Sequence, residues 1–353
     1  MGQNENCRTY WKEIIMRKLA TIRKIDALNP IEGADAIECA TVGGWKIVVK
    51  KGEYNVGDRA VYCEIDSWIP TELAPFLSKG KEPREFEGIK GERLRTIKLR
   101  GQLSQGLLLN LDTAIPQTNS FAEGDDVSEL LGIVKWEMPM NAQLAGMARG
   151  NFPSVIPKTD QERAQNLVRE ILAAAQAGTQ FEITEKLEGS SMTCYLIDGE
   201  FGVCSRNLDL KETEGNTFWQ VARRDGIEAE MRAIADHGDF AIQGELIGPG
   251  IQGNIYKLTQ PEFRVFDVYN VQAGEYLNPA DRRALIAGMG LQHVPFISVD
   301  KDLGVGSVEE ILQWAEDISI LNPTVQREGI VFKEVNGGMT FKAISNKYLL
   351  GEK

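Results

Sequence analysis

The sequence predicts an α+β protein with two domains, an N-terminal β-barrel followed by a larger domain built on antiparallel sheets. Three observations support this fold class. The chain has 353 residues, enough for two domains at roughly 100–200 residues each. Short apolar runs broken by Gly, Asn and Asp fill the first third, while helix and strand patterns alternate in the second half. Hydrophobic residues make up 42% and charged residues 25%, which excludes disordered and collagen-like classes.

The first domain reads as a small barrel. Residues 1–15 are polar and lack periodicity, so we expect a loose leader there. From residue 16 to residue 134 the predicted strands are short and closely spaced. Three of them are Trp45–Lys50, Ala60–Ile65 and Gly106–Leu109. This spacing is typical of an OB-type barrel, a fold that often binds oligonucleotides. A barrel that only packs against the second domain is the alternative.

The net charge of −12 is unevenly distributed. The segment Lys79–Arg100 holds eight Lys or Arg against four Glu, a local charge of +4, so the rest of the chain carries −16. An acidic chain with one basic stretch can bind a polyanion at that place. We expect the edge loops of the barrel to carry this stretch. A solvated loop without a partner is the alternative interpretation.

Several function classes are excluded by what the sequence lacks. Five scattered cysteines without a C-x-x-C pair and only two histidines disfavour a disulfide framework, a zinc knuckle and a Ser-His-Asp triad. No run approaches the ~18 apolar residues of a membrane helix, and the N-terminus has no apolar signal region. We therefore expect a reduced cytoplasmic protein without a membrane partner. Phosphate-binding P-loop, dinucleotide-binding and kinase signatures are also missing.

The second domain follows a Pro- and Gly-containing stretch, residues 135–157, that is predicted to be a linker. It spans residues 158–353 and begins with a predicted helix. Thr159 and Glu162 match a capping box, and apolar residues from Ala164 to Ala175 recur at helical spacing. Further helical patterns lie near residues 217–236, 279–289 and 307–317.

Charged residues interrupt the apolar strands of this domain. Lys186 ends an alternating strand and is followed three residues later by Gly189, and Arg206 follows the next hairpin. Four later strands carry Glu245, Asp267, Glu328 and Lys342. A carboxylate inside an apolar strand is costly unless it has a charged partner or a metal ion. We therefore expect these strands to share one polar cleft. Alone, Lys-x-x-Gly occurs by chance in many chains.

Taken in order, six such motifs between residues 181 and 348 resemble the covalent nucleotidyltransferases, which are ATP-dependent DNA and RNA ligases and mRNA capping enzymes. A barrel placed before the lysine motif is similar to the fifth family of ATP-dependent RNA ligases, whose OB domain precedes the nucleotidyltransferase domain. DNA ligases and capping enzymes usually have the opposite order. The segment Phe152–Asn166 also looks like the one that precedes the catalytic core of these RNA ligases.

The resemblance implies a ligase-type nucleotidyltransferase domain over residues 158–353 and an ATP-dependent RNA ligase that joins 3′-OH to 5′-phosphate ends, in RNA or nick repair. The implied cofactors are ATP and Mg²⁺ or Mn²⁺, and the implied partner is RNA or an RNA-containing nicked duplex. Its nucleophile, which takes AMP from ATP, is Lys186. The oligomeric state stays open.

The remaining roles follow from the same resemblance. The groups on adenosine are Glu185, which accepts from the adenine amino group, Phe266, which stacks on adenine beside Asp267, and Arg206 and Glu245, which hold the ribose. The groups on phosphates are Lys342, Lys158, Arg163 and Lys347, which stands in for a second lysine of some relatives. Glu328 binds the divalent ion, and Glu188 stands where many relatives have Asp.

The proposed chemistry needs a neutral amine. A free lysine with a pKa near ~10.4 is neutral about once per thousand at pH 7.4. A neighbouring cation such as Lys342, together with a metal ion, should lower this pKa. Adenylated lysine then passes AMP to a 5′-phosphate, and a 3′-OH attacks the activated phosphate.

Three alternatives remain at this stage. A DNA ligase or a GTP-using capping enzyme keeps the chemistry and changes the substrate. A non-catalytic OB-fold RNA-binding protein is a different class, and Asn29–Glu38 is loosely similar to tRNA-binding OB modules. The ordered lysine and carboxylate motifs argue against that last reading.

Overall fold

The computed structural model describes residues 17–115, 121–138, 146–234 and 238–351. They belong to two compact units, one within Ile15–Pro139 and the other within Met140–Lys353. The predicted leader, residues 1–15, lies outside the described residues. No helix in the described ranges is both long enough and apolar enough to cross a membrane.

Short antiparallel strands make up the N-terminal unit, as its closely spaced apolar runs predict. In order they are β1 (Ala20–Lys24), β2 (Ala27–Pro30), β3 (Ile37–Val42), β4 (Trp45–Lys50), β5 (Arg59–Cys63), β6 (Ser67–Pro70), β7 (Arg84–Phe86), β8 (Ile89–Arg93), β9 (Thr96–Leu99), β10 (Gln102–Gln105), β11 (Leu107–Asn110) and β12 (Val134–Lys135). A 3₁₀ helix, Pro75–Ser78, and a single helical turn, α1 (Leu111–Ala114), accompany them.

Within the described residues, these strands pair in four small sheets and do not close into one barrel. The strand orders are β1-β5-β11, β2-β3-β4, β9-β10 and β12-β6-β8-β7. On the edge of β4 that does not pair with β3, a side chain replaces a backbone hydrogen-bond partner. There the backbone N–H of Val48 donates to the Ser104 hydroxyl of β10 at 3.0 Å. Alternation still sets the core: Trp45, Ile47 and Val49 of β4 are buried.

The basic stretch Lys79–Arg100 runs through β7, β8 and β9. Three of its cations form ion pairs, Arg84 with Glu92, Lys90 with Glu82 and Arg93 with Asp66. Five others, Lys79, Lys81, Arg95, Lys98 and Arg100, are exposed. Beside them Ile97 and Leu99 are 45% and 40% exposed. The β9–β10 hairpin therefore presents cations and apolar side chains together.

The C-terminal unit mixes longer strands with short helices. Its strands are β13 (Ala148–Asn151), β14 (Glu162–Arg163), β15 (Gln180–Lys186), β16 (Ser190–Ile197), β17 (Glu200–Cys204), β18 (Leu208–Leu210), β19 (Phe240–Ile247), β20 (Glu262–Asn270), β21 (Glu275–Tyr276), β22 (Phe296–Asp302), β23 (Gly329–Glu334) and β24 (Thr340–Ile344). Its α-helices are α2 (Val168–Gln176), α3 (Thr217–Arg224), α4 (Ile227–Ala233), α5 (Pro279–Gly288), α6 (Val308–Ala315) and α7 (Asn346–Leu350).

Two sheets organise this unit. An antiparallel sheet has the order β13-β18-β17-β16-β19-β20-β21, and a second has the order β14-β24-β23-β15-β22 with β14 parallel to β24. Helices α3, α4 and α5 bury one face of the first sheet, through residues such as Trp219, Met231 and Ile286. Helices α2 and α6 bury one face of the second, through Ile171 and Ile311. The opposite face of the first sheet carries a smaller apolar cluster, Ile156, Tyr195, Cys204 and Ala241.

The helix predicted to start at Thr159 begins later, at Val168. Glu162 does not close a capping box; its Oε1 accepts from the Arg163 N–H and from the Asn166 side chain. Glu162 and Arg163 instead form β14, because their backbone pairs with β24. From Val168 onward the chain is helical and buries the apolar stripe that the sequence predicts, since Ile171 is fully buried.

A buried charge cluster links the two sheets through α5. The Arg282 and Arg283 guanidinium groups both contact the Glu182 carboxylate of β15. The ammonium of Lys333 on β23 lies 2.6 Å from Asp267 Oδ1 on β20, and burial lowers the Lys333 pKa to about 8.

The imidazole of His293 completes this cluster. Its Nε2 accepts from Arg282 Nε at 3.0 Å, and burial, followed by the charge of Arg282, lowers its pKa to about 3. Opposite charges are paired across the cluster, which offsets the cost of burying them.

Candidate active site

Lys186 lies at the C-terminal end of β15, where alternation directs it away from the helix-covered core. Phe181 and Ile183 point into that core, and Thr184 and Lys186 point to the opposite face. Lys186 pairs in register with Gly329 of β23, so Glu328, the residue before Gly329, comes beside it. The Lys186 Nζ lies 2.7 Å from Glu328 Oε1. These two predicted site residues therefore meet although 142 positions separate them.

Glu245 reaches the same lysine from the other sheet. It lies on β19, in register with Ser191 of β16. Gly189 makes this approach possible, because a Cβ there would lie 2.4 Å from the Leu246 carbonyl oxygen and 2.8 Å from Glu245 Cγ. The Gly189 backbone N–H also hydrogen-bonds the Glu245 carboxylate. The glycine of the Lys-x-x-Gly motif therefore has a packing reason.

Lys186, Glu328 and Glu245 form a trio whose charges influence one another. Burial raises the pKa of Glu245 to about 8, and the positive charges of Lys186 and Arg206 oppose that rise. Burial alone would lower the Lys186 pKa, but the carboxylates of Glu328 and Glu245 outweigh it, and the net pKa of Lys186 is raised. Arg163 opposes the rise. Without a ligand, Lys186 is therefore held as an ammonium. That a neighbouring cation such as Lys342 and a bound metal ion lower this pKa stays a prediction for the site with its ligands.

Phe266 reaches the polar side of its sheet through a β-bulge. Gln243 pairs with Asp267 and Gly244 with Val265, so Phe266 is the extra residue. Bulges redirect side chains in this way. The Lys333 ammonium donates to the Phe266 carbonyl at 2.6 Å and lies 5.7 Å from its ring centroid. The charge cluster thus fixes the backbone under this ring.

Glu185 is buried and lies on the opposite face of β15 from Lys186. Its Oε2 accepts from the Ile320 N–H at 2.7 Å. Its Oε1 is buried and has no hydrogen-bond partner among the described residues, and burial raises its pKa. Hydrogen bonds from the Ser319 side chain and the Ile320 N–H oppose that rise.

The predicted phosphate-binding cations do not all lie together. Arg163 is the parallel partner of Lys342 across β14 and β24, and its charge acts on Lys186. Lys158 lies beside Arg206, since it donates to the Asn207 side chain at 2.8 Å. Lys347 is exposed on α7. Arg163 and Lys342 thus adjoin Lys186, Lys158 adjoins the predicted ribose side, and Lys347 lies apart from both on α7.

Glu188 adjoins the trio from the loop after Lys186. Its backbone N–H donates to the Tyr256 hydroxyl at 2.6 Å. Burial and the charge of Glu328 raise its pKa, and a hydrogen bond from Tyr348 opposes that rise. The two tyrosines were not identified from the sequence, because no local pattern links them to Glu188.

The oxygen donors here suit a hard divalent cation. Glu328, Glu245 and Glu188 interact electrostatically with one another or with Lys186. Among the described residues no group of three or more His, Cys, Asp or Glu is arranged to hold a metal by itself. Mg²⁺ commonly takes only one or two carboxylates and completes its shell with water and substrate phosphates, so the site fits such an ion.

The chain is similar to known proteins in both sequence and structure. A family profile described as an OB-fold domain matches residues 19–111, and one described as RNA ligase matches residues 179–348. Naegleria gruberi RNA ligase with PPi is 47% identical over 94% of this chain and 98% of its own, with a TM-score of 0.87. The chain belongs to the RNA ligase family.

Two further structures of the same relative are similar to this RNA ligase. A variant of the Naegleria enzyme with ATP and Mn is 47% identical, covers 94% of this chain and 98% of its own, and has a TM-score of 0.87. Another variant with AMP and Mn is 46% identical, covers 96% and 100%, and has a TM-score of 0.88. No curated protein sequence matches. The predicted family, with its OB-fold domain first, is confirmed.

The charge of Glu328 sets the reactivity of Lys186 in the free enzyme. We expect Glu328→Gln to lower the Lys186 pKa, because it removes the nearest carboxylate charge. A lower pKa leaves a larger fraction of the amine neutral at neutral pH, and the modification rate rises with that fraction. The rate at which an amine-reactive reagent modifies Lys186, followed by mass spectrometry from pH 6 to about pH 10, measures this. Exposed Lys301 in the same sample serves as the reference, and an unchanged Lys186 profile would contradict the assignment.

Proposed function

We propose that this RNA ligase uses ATP and Mg²⁺ or Mn²⁺ to join an RNA 3′-OH to a 5′-phosphate through AMP bound covalently to Lys186. The observation that carries the proposal is the single amine placed between two carboxylates and an arginine, at the end of a buried strand. An amine so enclosed is oriented before substrate arrives, which is the main contribution that positioning makes to phosphoryl transfer.

The nucleoside would lie between the two sheets. Phe266 provides a ring held from behind by Lys333, and adenine can stack on such a face. By the family resemblance Glu185 would accept from the adenine amino group, which distinguishes adenine from guanine. Because Glu185 lies on the other face of β15 from Lys186, adenine would have to reach it past the end of that strand. Arg206 and Glu245 would bind the ribose hydroxyls. Burial raises the pKa of Glu245, so its carboxyl group holds a proton more readily than a solvated glutamate and can then itself donate.

The phosphates would meet the paired cations Arg163 and Lys342, with Lys158 and Lys347 at the rim. The divalent cation, held by Glu328, would neutralise charge that develops on phosphate oxygens. Separation of Glu328 Oε1 from Lys186 Nζ removes the contact that favours the ammonium. The neutral amine is then available as a nucleophile.

Three transfers follow in sequence. The Lys186 amine attacks the α-phosphorus, a P–N bond forms and pyrophosphate leaves. A 5′-phosphate oxygen then attacks the phosphorus of lysyl-AMP, which restores the amine. Finally the 3′-OH attacks the 5′-phosphate, a phosphodiester forms and AMP leaves. In each step the same cations would stabilise the charge that develops on the phosphate oxygens. Such preorganised electrostatic stabilisation is usually the largest contribution to catalysis.

The OB-fold domain would supply the RNA contact. Its exposed cations Arg95 and Arg100 flank exposed Ile97 and Leu99 on the β9–β10 hairpin. Cations match backbone phosphates and apolar side chains match unstacked bases. An RNA end or an RNA-containing nick suits this combination, and repair of broken RNA is the role that such a substrate implies.

Covalent labelling tests the nucleophile. Incubation with ATP labelled at the α-phosphate and Mg²⁺ or Mn²⁺ is expected to label the protein, and Lys186→Ala is expected to abolish the label, because no other group supplies the amine. Exposed Lys301→Ala is the matched control and should label normally. Retention of the label by Lys186→Ala would show that the nucleophile is another residue, and labelling by GTP in preference to ATP would favour a capping enzyme.

A panel of nicked duplexes tests the substrate class. We expect sealing when RNA provides the 3′-OH side of the nick and much slower sealing of all-DNA nicks. The measured quantity is the single-turnover rate for each combination of RNA and DNA strands. Equal rates on all-DNA nicks would identify a DNA ligase activity, and adenylation without any sealing would point to a binding role.

Charge reversal tests the RNA surface. The triple change of Lys81, Arg95 and Arg100 to Glu is expected to weaken RNA binding, and to reduce the slope of log affinity against log salt by about 3, one for each lost phosphate contact. Reversal of Lys24, Lys50 and Lys51 changes the net charge equally and is the control. If both triple variants lose affinity alike, the basic stretch Lys79–Arg100 is not the contact.

A further inference from the structure

Four consecutive residues before the lysine motif cross the polar face of the seven-stranded sheet. We define Pro157–Asp160 as the strap. Apolar residues anchor its N-terminal side, since Phe152 and Ile156 pack with Tyr195 and Ala241. On its C-terminal side, Arg163 enters β14 of the other sheet. The strap therefore connects the two sheets that form the cleft.

Every residue of the strap contacts a residue of the first sheet or of the loop after β17. The contacts are Pro157 O with Gln243 Nε2 at 2.9 Å, Lys158 Nζ with Asn207 Oδ1 at 2.8 Å, and Thr159 Oγ1 with Ser191 Oγ at 3.2 Å. The fourth is Arg206 Nη2, which donates to both carboxylate oxygens of Asp160, at 2.9 and 2.8 Å. Four contacts in a row fix the strap along its whole length.

Two of these contacts adjoin the proposed ribose site. Ser191 is in register with Glu245, and Arg206 acts electrostatically on Glu245. Arg206 follows β17 in a loop, so its backbone alone does not define where the guanidinium lies. A carboxylate that engages one nitrogen restricts a side chain with several rotatable bonds. Asp160 supplies that restriction.

We propose that Asp160 is a positioning residue, which holds the Arg206 guanidinium in the orientation that binds the ribose of ATP. The proposal rests on the proposed function, because it assigns Arg206 to the nucleotide. By the same connection the strap fixes the spacing between Arg206, at the ribose end, and Arg163, at the phosphate end. Arg206 contacts Asp160, the last residue of the strap, and Arg163 follows three positions later in β14. Both cations are therefore tied to the C-terminal end of this one segment.

A double-mutant cycle tests the coupling. Asp160→Ala is expected to raise the KM for ATP in lysine adenylation roughly tenfold, the size of one charge-assisted hydrogen bond, with little change in kcat. In an Arg206→Ala background the same change is expected to have almost no effect, because the positioned group is gone. Asp160→Glu should restore much of the affinity. Where Arg206→Ala adenylates too slowly, equilibrium binding of ATP in a Lys186→Ala background gives the same four comparisons.

Glu212→Ala is the matched control, because Glu212 forms a comparable exposed pair with Arg223 of α3 on the helix-covered side. It should leave the KM unchanged. An unchanged KM in Asp160→Ala, or an equal rise with and without Arg206, would overturn the positioning role. Failure of the proposed function gives a different result: the Lys186→Ala protein, with Asp160 and Arg206 intact, would still become labelled by ATP.

Discussion

The 2.7 Å contact between Lys186 Nζ and Glu328 Oε1 is the interaction on which the site depends. It exists because β15 and β23 pair in a register that places Lys186 opposite Gly329. A shift by one residue would turn Lys186 toward the apolar core and would turn Phe181 and Ile183 out of it. The buried aromatic side chains of that core therefore fix the register, and the register fixes the nucleophile.

The seven-stranded sheet, which carries Glu245 and Phe266, must be held at a fixed distance from Lys186 on the five-stranded sheet. The buried charge cluster holds the two sheets at that distance. Glu182 and Lys333 lie on the two central strands of one sheet, and Asp267 lies on the other, with Arg282 between them. Removal of one partner would leave an uncompensated buried charge, which is far more costly than the pair is favourable. Such a cluster tolerates little displacement, so Phe266 and Glu245 keep their place relative to Lys186.

Sequence reasoning identified Lys186, Glu245 and Glu328 as neighbours because charged residues in apolar strands need partners, and this argument is independent of how strands pair. It did not identify Arg282 or Asp160, whose partners are distant in the chain and carry no local signature. It placed the helix start at Thr159 because a capping box is a local pattern, whereas the pairing of Glu162 with β24 is not. Local sequence patterns therefore identify the candidate site residues, whereas the pairing of strands distant in the chain determines which groups each of them contacts.

The charge balance of the cleft explains how one site can accept a polyanion while it contains three carboxylates. Burial raises the pKa of Glu245, so near neutral pH it holds a proton more readily than a solvated glutamate. Glu328 is neutralised by Lys186 in the free enzyme, and Arg163 and Lys342 stand side by side on adjacent strands. The free cleft is therefore less negative than its residues suggest. When phosphates bind to the cations, Glu328 becomes the one strong anion near the lysine, and a divalent cation is the partner that best replaces the lost ammonium contact.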